Sequence, residues 1–385
     1  MHPYDQLRTE DLYRRGSIKW TLHGPDVLAA WVAEMDFPAA APIDRAVRAA
    51  VDRGYYGYPP HDADTGLPEA TAAVLAGRGL RVPPERIRIL PDILRGMELA
   101  IELYSAPGSA VVIPTPSYPP FFAVAQLCGR EIVEVPMVQT PAGLGYDVDG
   151  IDAALAAGAG TVLLCNPHNP VGRVFEEAEL KAIAEVVEQH GARVVADEVH
   201  APLVYPDETF VPYASVSPVA AAHSVTLVSA SKGWNLPGLK CAQVVLTTPA
   251  DAERWDTLGH LQTHGASTLG IVANEAAYRQ GGDWLATTLS YLDGNRRLLG
   301  ELLAEHLPAV RYTAPAGTYL SWLDCRGLGL EDPAGFFLER AHVAVNDGRT
   351  FGAAGNGFVR LNFATSRPIL RRIVTAMGTA VAERG

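Results

Sequence analysis

Between residues 86 and 248 the chain alternates short apolar runs with longer amphipathic stretches. The short runs predict strands at Ile87–Leu90, Val111–Ile113, Glu131–Val135, Thr161–Cys165, Arg193–Ala196, Val225–Val228 and Ala242–Leu246. Most are rich in Val, Ile and Leu with no polar alternation, the signature of strands buried on both faces. Helical periodicity lies between several of them, most clearly at Leu94–Tyr104 and Glu176–His190. This pattern predicts an α/β fold with a mostly parallel seven-stranded sheet flanked by helices. Ligands of such sheets bind at the carboxyl ends of the strands. After residue 250 the pattern changes. A long helix is expected over Trp284–His306, then an extended run at Thr318–Leu323, a helix near Pro333–Arg340 and another extended run at Gly357–Ala364. This predicts a smaller α+β domain. Residues up to Asp44, with Pro25, Pro38 and Pro42, read as irregular.

Length and charge narrow the classes. A chain of 385 residues has room for a large core and two domains. The expected division is an N-terminal segment over 1–44 packing with the small domain, a large domain over 45–285 and a small C-terminal domain over 286–385. The net charge is −12, with no dense Lys/Arg run, which argues against nucleic acid or an anionic membrane as partner. Cys128, Cys165, Cys241 and Cys325 form no CxxC pair and read as free thiols in a reducing compartment. The first residues are polar, and no apolar run approaches the length of a membrane span, so a cytoplasmic protein is expected and no metal site is.

The candidate chemistry gathers at predicted strand ends. Ser229-Ala230-Ser231-Lys232-Gly233 follows the strand Val225–Val228. A lysine there is poorly placed for solvent and well placed to form a Schiff base with an aldehyde cofactor. The serines offer hydroxyls to a phosphate. Asp197-Glu198-Val199-His200 ends the neighbouring strand. A lysine and a carboxylate at adjacent strand ends suit pyridoxal phosphate, which needs an amine for its aldehyde and an anion for its ring nitrogen. Asn169, in Asn166-Pro167-His168-Asn169-Pro170-Val171-Gly172, is a hydrogen-bond donor for the ring's phenolic oxygen. Pro91-Asp92-Ile93-Leu94 opens a helix whose first N–H groups suit a phosphate. Tyr118 can stack on a ring, and Arg360, inside an alternating extended run, can clamp a carboxylate through two parallel bonds.

In this order, Tyr58, Asn169-Pro170-Val171-Gly172, Asp197, Ser229-Ala230-Ser231-Lys232 and Arg360 resemble the fold-type I pyridoxal-phosphate enzymes of the aminotransferase class I/II superfamily, across essentially the whole chain. More narrowly, Trp31-Val32-Ala33-Glu34-Met35-Asp36-Phe37-Pro38, Asp197-Glu198-Val199-His200, Asn274-Glu275-Ala276-Ala277-Tyr278 and Arg360-Leu361-Asn362-Phe363-Ala364 resemble the MalY/PatB-type cystathionine β-lyases. The resemblance implies pyridoxal 5'-phosphate as cofactor and a homodimer with shared sites. It implies Lys232, Asp197 and Tyr118 as the catalytic group. Asn169, His200, Ser229, Ser231, Lys240 and the backbone near Ile93 and Leu94 would join them in holding the cofactor. Tyr58 would reach the phosphate of the neighbouring subunit, and Arg360 and Ala33 would bind substrate. Two positions depart from many aminotransferases: His200 stands where they have tyrosine, and Lys240 where they have arginine. The implied reaction is α,β-elimination from cystathionine or another cysteine S-conjugate, giving a thiol, pyruvate and ammonia. Transamination is the alternative, and neither spacing nor composition separates the two. A ligand-sensing regulator is a third reading, disfavoured because no DNA-binding module precedes the Trp31 motif.

Overall fold

The apolar runs become the seven strands of one sheet in the computed structural model, which describes residues 2–384. They are β1 (Ile87–Leu90), β2 (Val111–Thr115), β3 (Ile132–Pro136), β4 (Thr161–Cys165), β5 (Arg193–Asp197), β6 (Ser224–Val228) and β7 (Ala242–Leu246). Their spatial order is β1-β7-β6-β5-β4-β2-β3. β6, β5, β4, β2 and β3 run parallel, and β7 is antiparallel to both neighbours. Alternate residues face opposite sides. Val112, Val162, Leu164, Val194 and Ala196 enter one apolar cluster, while Val111, Ile113, Leu163, Val195, Leu227 and Val244 enter another. Both faces of the sheet are therefore covered, as the unalternating runs imply.

The strand directions bring the candidate loops to one edge. β5 ends on Asp197, and β2, β4 and β6 deliver Tyr118, Asn169 and Lys232 just beyond their carboxyl ends. β1 ends there too, at Pro91-Asp92, and β7 starts there after Lys240. The register is direct: Cys165 pairs with Asp197, and Asp197 with Leu227.

The C-terminal part forms a four-stranded antiparallel sheet of β8 (Arg311–Tyr312), β9 (Leu320–Asp324), β10 (Asn346–Asp347) and β11 (Phe358–Asn362), in the order β8-β9-β11-β10. Helices Gly282–His306 and Arg367–Ala382 pack on it. Their apolar cluster includes Leu292, Leu299, Phe363 and Ile373, and also Tyr4, Leu12, Trp20 and Met35 from the N-terminus. Leu28–Ala29 pairs in parallel with Val343–Ala344.

Some expected boundaries shift for local reasons. The first long helix starts at Ala41, not after Asp44, because Pro42 sits in its first turn, where a missing N–H costs nothing. Within the segment read as irregular lie the short helices Thr9–Arg14 and Ile18–Thr21. β9 begins at Leu320 and not at Thr318, whose φ of 69° is incompatible with a strand.

Helix Thr268–Gln280 braces the loop at the floor of this edge. A Cβ on Gly270 would lie 1.9 Å from the carbonyl oxygen of Leu239, next to Lys240. Gly270→Ala therefore has to push the 237–241 loop away. The expected result is a lower urea midpoint, by about 1–3 kcal/mol of overpacking. A midpoint equal to that of the parent protein would show that the loop is not held by this contact.

Candidate active site

The strand ends enclose a cavity of about 180 Å³ lined by residues that include Ala33, Ile93, Leu94, Tyr118, Asn169, Asp197, His200, Ser231, Lys232 and Lys240. Its charges come in three kinds, and each has an identifiable support.

Lys232 lies in the short helix Ala230–Gly233, directly after β6. Ser229 caps that helix: its hydroxyl accepts from the Ser231 N–H at 3.0 Å and donates to the Cys241 carbonyl at 2.7 Å. Ser229 lines the cavity, and these two bonds orient Ser231 and Lys232. The Lys232 amine donates to the Ala33 carbonyl at 3.0 Å. Burial, reinforced by the positive charge of Arg360, pushes its pKa down to about 8, while Asp197 pulls it up.

Asp197 is 5% exposed and accepts from the Val199 N–H at 3.0 Å. Burial raises its pKa to about 6; the Val199 bond and the Lys232 charge oppose this. At neutral pH it remains largely an anion. His200, also buried, is held neutral: burial and then the charges of Lys232 and Arg360 push its pKa well below the ordinary value. Its Nδ1 has no hydrogen-bond partner among the described residues.

Arg360 is 3% exposed on β11. Its guanidinium donates to the Asn169 side-chain oxygen at 2.9 Å, to the Trp31 carbonyl at 2.9 Å and to Asn346 Oδ1 at 2.6 Å. All three acceptors are neutral. Arg360 enters no salt bridge among the described residues, and its Nε has no partner. Burial lowers its pKa to about 10. A guanidinium has only donors, so the Asn169 oxygen must face it and the Asn169 amide N–H₂ is turned away, free for another acceptor.

The remaining cation stands at the other end. Lys240 pairs with Asp92 at 2.8 Å. Asp92 in turn caps helix Ile93–Tyr104 by accepting from the Arg95 N–H at 2.9 Å. The first N–H groups of that helix lack intrahelical partners, and its dipole favours an anion beside Ile93 and Leu94. Tyr118 is the residue before helix Pro119–Leu127, and burial raises its pKa. Tyr58 is not part of this cavity: it is 98% exposed on the single chain.

Two contributors were not among the expected site residues, although the run Tyr319–Asp324 is part of the resemblance to the cystathionine β-lyases. Tyr319 donates its hydroxyl to the Ala33 carbonyl at 3.0 Å, sharing that acceptor with Lys232. Asn346 holds Arg360. For Asn346 the signal is its pairing with Arg360 between β10 and β11, which is invisible without the register.

Comparison with known proteins agrees with this geometry. The family Aminotransferase class I and II matches residues 29–377. The chain belongs to that family. Within it, the chain is similar to the cystathionine β-lyase of Corynebacterium glutamicum, with 40% identity over 96% of this chain and 98% of that protein. Cystathionine β-lyase PatB of Bacillus subtilis is 33% identical over 94% of this chain and 96% of its own. A crystal structure from Corynebacterium diphtheriae, provisionally identified as a pyridoxal-phosphate-dependent β-cystathionase, matches with a TM-score of 0.93 and 41% identity over 98% of both chains.

The lowered pKa of Lys232 has a direct consequence. Its amine should be free, and so nucleophilic, above about pH 8, more than two units before an ordinary lysine. Trapping a small aldehyde on the protein with borohydride, followed by peptide mass analysis, should label Lys232 with a half-maximum near pH 8 while surface lysines follow at higher pH. Labelling that rises only with the surface lysines would contradict the account of this site.

Proposed function

We propose that this protein is a pyridoxal-phosphate-dependent carbon–sulfur β-lyase. It cleaves L-cystathionine or another cysteine S-conjugate to a thiol and aminoacrylate, which takes up one water to give pyruvate and ammonia. One observation carries the amino-acid part of this reading: Arg360 is a buried guanidinium with neutral hydrogen-bond partners only, near enough to the buried Lys232 amine for its charge to act on it. Such a charge needs an anion. The α-carboxylate of an amino acid supplies one in bidentate form. That the bond broken is carbon–sulfur rests on the full-length similarity to the two cystathionine β-lyases.

The donor set fits pyridoxal phosphate. Lys232 would take its aldehyde and Asp197 would pair with its ring nitrogen. The Asn169 amide N–H₂ and His200 are at hand for ring substituents, and Tyr118 for a ring face. The helix start at Ile93 and Leu94, Ser231 and Lys240 would hold the phosphate; Lys240 serves as a point charge, not a fork. When bound, the cofactor supplies an electron-accepting ring that acidifies Cα–H of an attached amino acid and lets the Cβ substituent leave.

The protein's own residues do the rest. Arg360 fixes the α-carboxylate and so the rotation of the substrate about Cα. Asp197, an anion at neutral pH, keeps the ring nitrogen protonated and is itself drawn below its raised pKa by that cation. Lys232, with a pKa of about 8, removes the Cα proton and delivers a proton to the departing sulfur. Transfers of this kind contribute about 10²–10⁴ in rate. The Ala33 carbonyl gives the amine a resting acceptor between the two transfers.

The same proposal places the protein in the cytoplasm as a homodimer, with residues 45–285 as the cofactor domain, 286–385 as the small domain and 1–44 attached to the latter. The exposed Tyr58 would then meet the partner's cofactor phosphate. No helix among the described residues is long and apolar enough to cross a membrane.

Arg360→Ala should retain bound cofactor but raise KM for amino acids by about 10²–10³-fold, the cost of removing one partner of a buried charged pair. Arg360→Lys should recover only part of this, because an ammonium lacks the fork. An unchanged KM would place the carboxylate site elsewhere. The reaction itself is tested by product identity. Purified protein with L-cystathionine should give pyruvate, ammonia and thiol in equal amounts with no added keto acid. Turnover that requires a keto acid would instead establish transamination.

A further inference from the structure

A fully buried ion pair outside the cavity holds the backbone segment that the site's two principal cations use. Lys19 and Asp36 meet at 2.8 Å, with side chains 0% and 1% exposed. Neither touches the cavity. Removing two charges from water is costly before their attraction is counted, so such a pair is a weak source of stability. Its position suggests another role.

Between Lys19 and the end of this segment at Asp36 the chain runs irregularly through residues 31–36, with a bend at Val32 and Ala33, and the site's cations donate to its carbonyls. Arg360 donates to Trp31, and Lys232 and Tyr319 both donate to Ala33. Lys19 grips this segment in three places. Its amine reaches Asp36 and also the Glu34 carbonyl at 3.0 Å, and its own carbonyl accepts from the Trp31 indole at 2.9 Å. Asp36 is fixed again by the Trp20 indole at 2.7 Å and, through its backbone, by Ala364 and Arg15. Asn362 holds the Val32 and Glu34 carbonyls at 2.6 and 2.7 Å. On the opposite side, Asn235 clasps both backbone groups of Met35 at 2.8 Å. The segment thus spans from the small domain to the Lys232 loop, and Lys19–Asp36 is the ion pair in its fastening.

We infer that Lys19 and Asp36 are positioning residues for catalysis: they fix the 31–36 segment so that Ala33 receives the Lys232 amine while Trp31 orders Arg360. The inference rests on the lyase reading for the roles of those two cations. Without the pair, the segment keeps its backbone but loses its register against both. A displacement of about 1 Å at reacting groups is worth about 10²-fold in rate.

The test uses the cofactor-loaded protein and the variants Lys19→Met, Asp36→Asn and Lys19→Met/Asp36→Asn, with kcat and KM expressed per loaded molecule. Each single variant should raise KM for L-cystathionine and lower kcat/KM by at least about tenfold. The double variant should be no worse than the poorer single one, because the pair acts as a unit. Amide exchange of residues 28–37 should quicken in all three. Asp36→Asn is isosteric and keeps an acceptor for Trp20, so it carries the test where Lys19→Met does not fold. Variants that lose thermal stability but match the parent in kcat and KM per loaded molecule would overturn the inference and leave the pair a structural one. Failure of the lyase reading would look different. The parent protein itself would then need a keto acid, and the same ratios would be taken on that reaction.

Discussion

A guanidinium shut away from water with no acid beside it is the constraint around which this structure is arranged. Arg360 is held by two asparagine side chains and one backbone carbonyl. Dipoles of this kind hold a cation in place without neutralising it. The charge therefore remains available, and its field lowers the pKa of Lys232 and His200. Three parts of the chain must meet for this to happen: β11 carries the arginine, the loop after β4 brings Asn169, and the N-terminal segment brings Trp31. The small antiparallel sheet, the large parallel sheet and the first residues of the chain are thereby tied to one point.

Burial explains how two groups of ordinary type acquire their chemistry. Burial, the largest cause for each, disfavours charge on both Lys232 and Asp197; together with the neighbouring charges and the Val199 hydrogen bond it leaves the amine at about 8 and the carboxyl at about 6. The two shifts converge on neutral pH, where an amine can be free part of the time and a carboxylate still charged most of the time. Neighbouring strands supply the two groups, and parallel pairing of β5 with β6 sets their spacing. Parallel strands thus contribute more than a scaffold here. They deliver side chains from distant parts of the sequence to one edge at a strand-to-strand interval.

Much of this was legible in the sequence. Runs such as Thr161–Cys165 and Ala242–Leu246 are buried on both faces and lack alternation, so their strands fall where apolar residues start and stop. β5 and β6 each extend one polar residue further than the runs suggest, to Asp197 and Ser224, because the ladder continues through buried polar side chains. Residues placed directly after strands, such as Lys232, Asp197 and Asn169, could be grouped because the topology sends all those ends one way. Contacts made by backbone carbonyls were not legible. Nothing in the sequence marks the Ala33 oxygen as shared by Lys232 and Tyr319, or Lys19 as buried against Asp36, since both depend on how an irregular segment is folded. Ser229 adds a contact of the same kind: only the geometry reveals that its proton goes to the Cys241 carbonyl.

The central claim is that Arg360 gives the cavity its affinity for an α-carboxylate. Calorimetric binding to the cofactor-loaded protein tests it most directly, using L-alanine and L-alaninamide, which lack a sulfur leaving group and differ in whether the carboxyl group carries the charge. The account predicts that the carboxylate form binds at least about 10²-fold more tightly, the scale expected for a charge-assisted bidentate pair in a buried site. Equal affinities for the two compounds would contradict it.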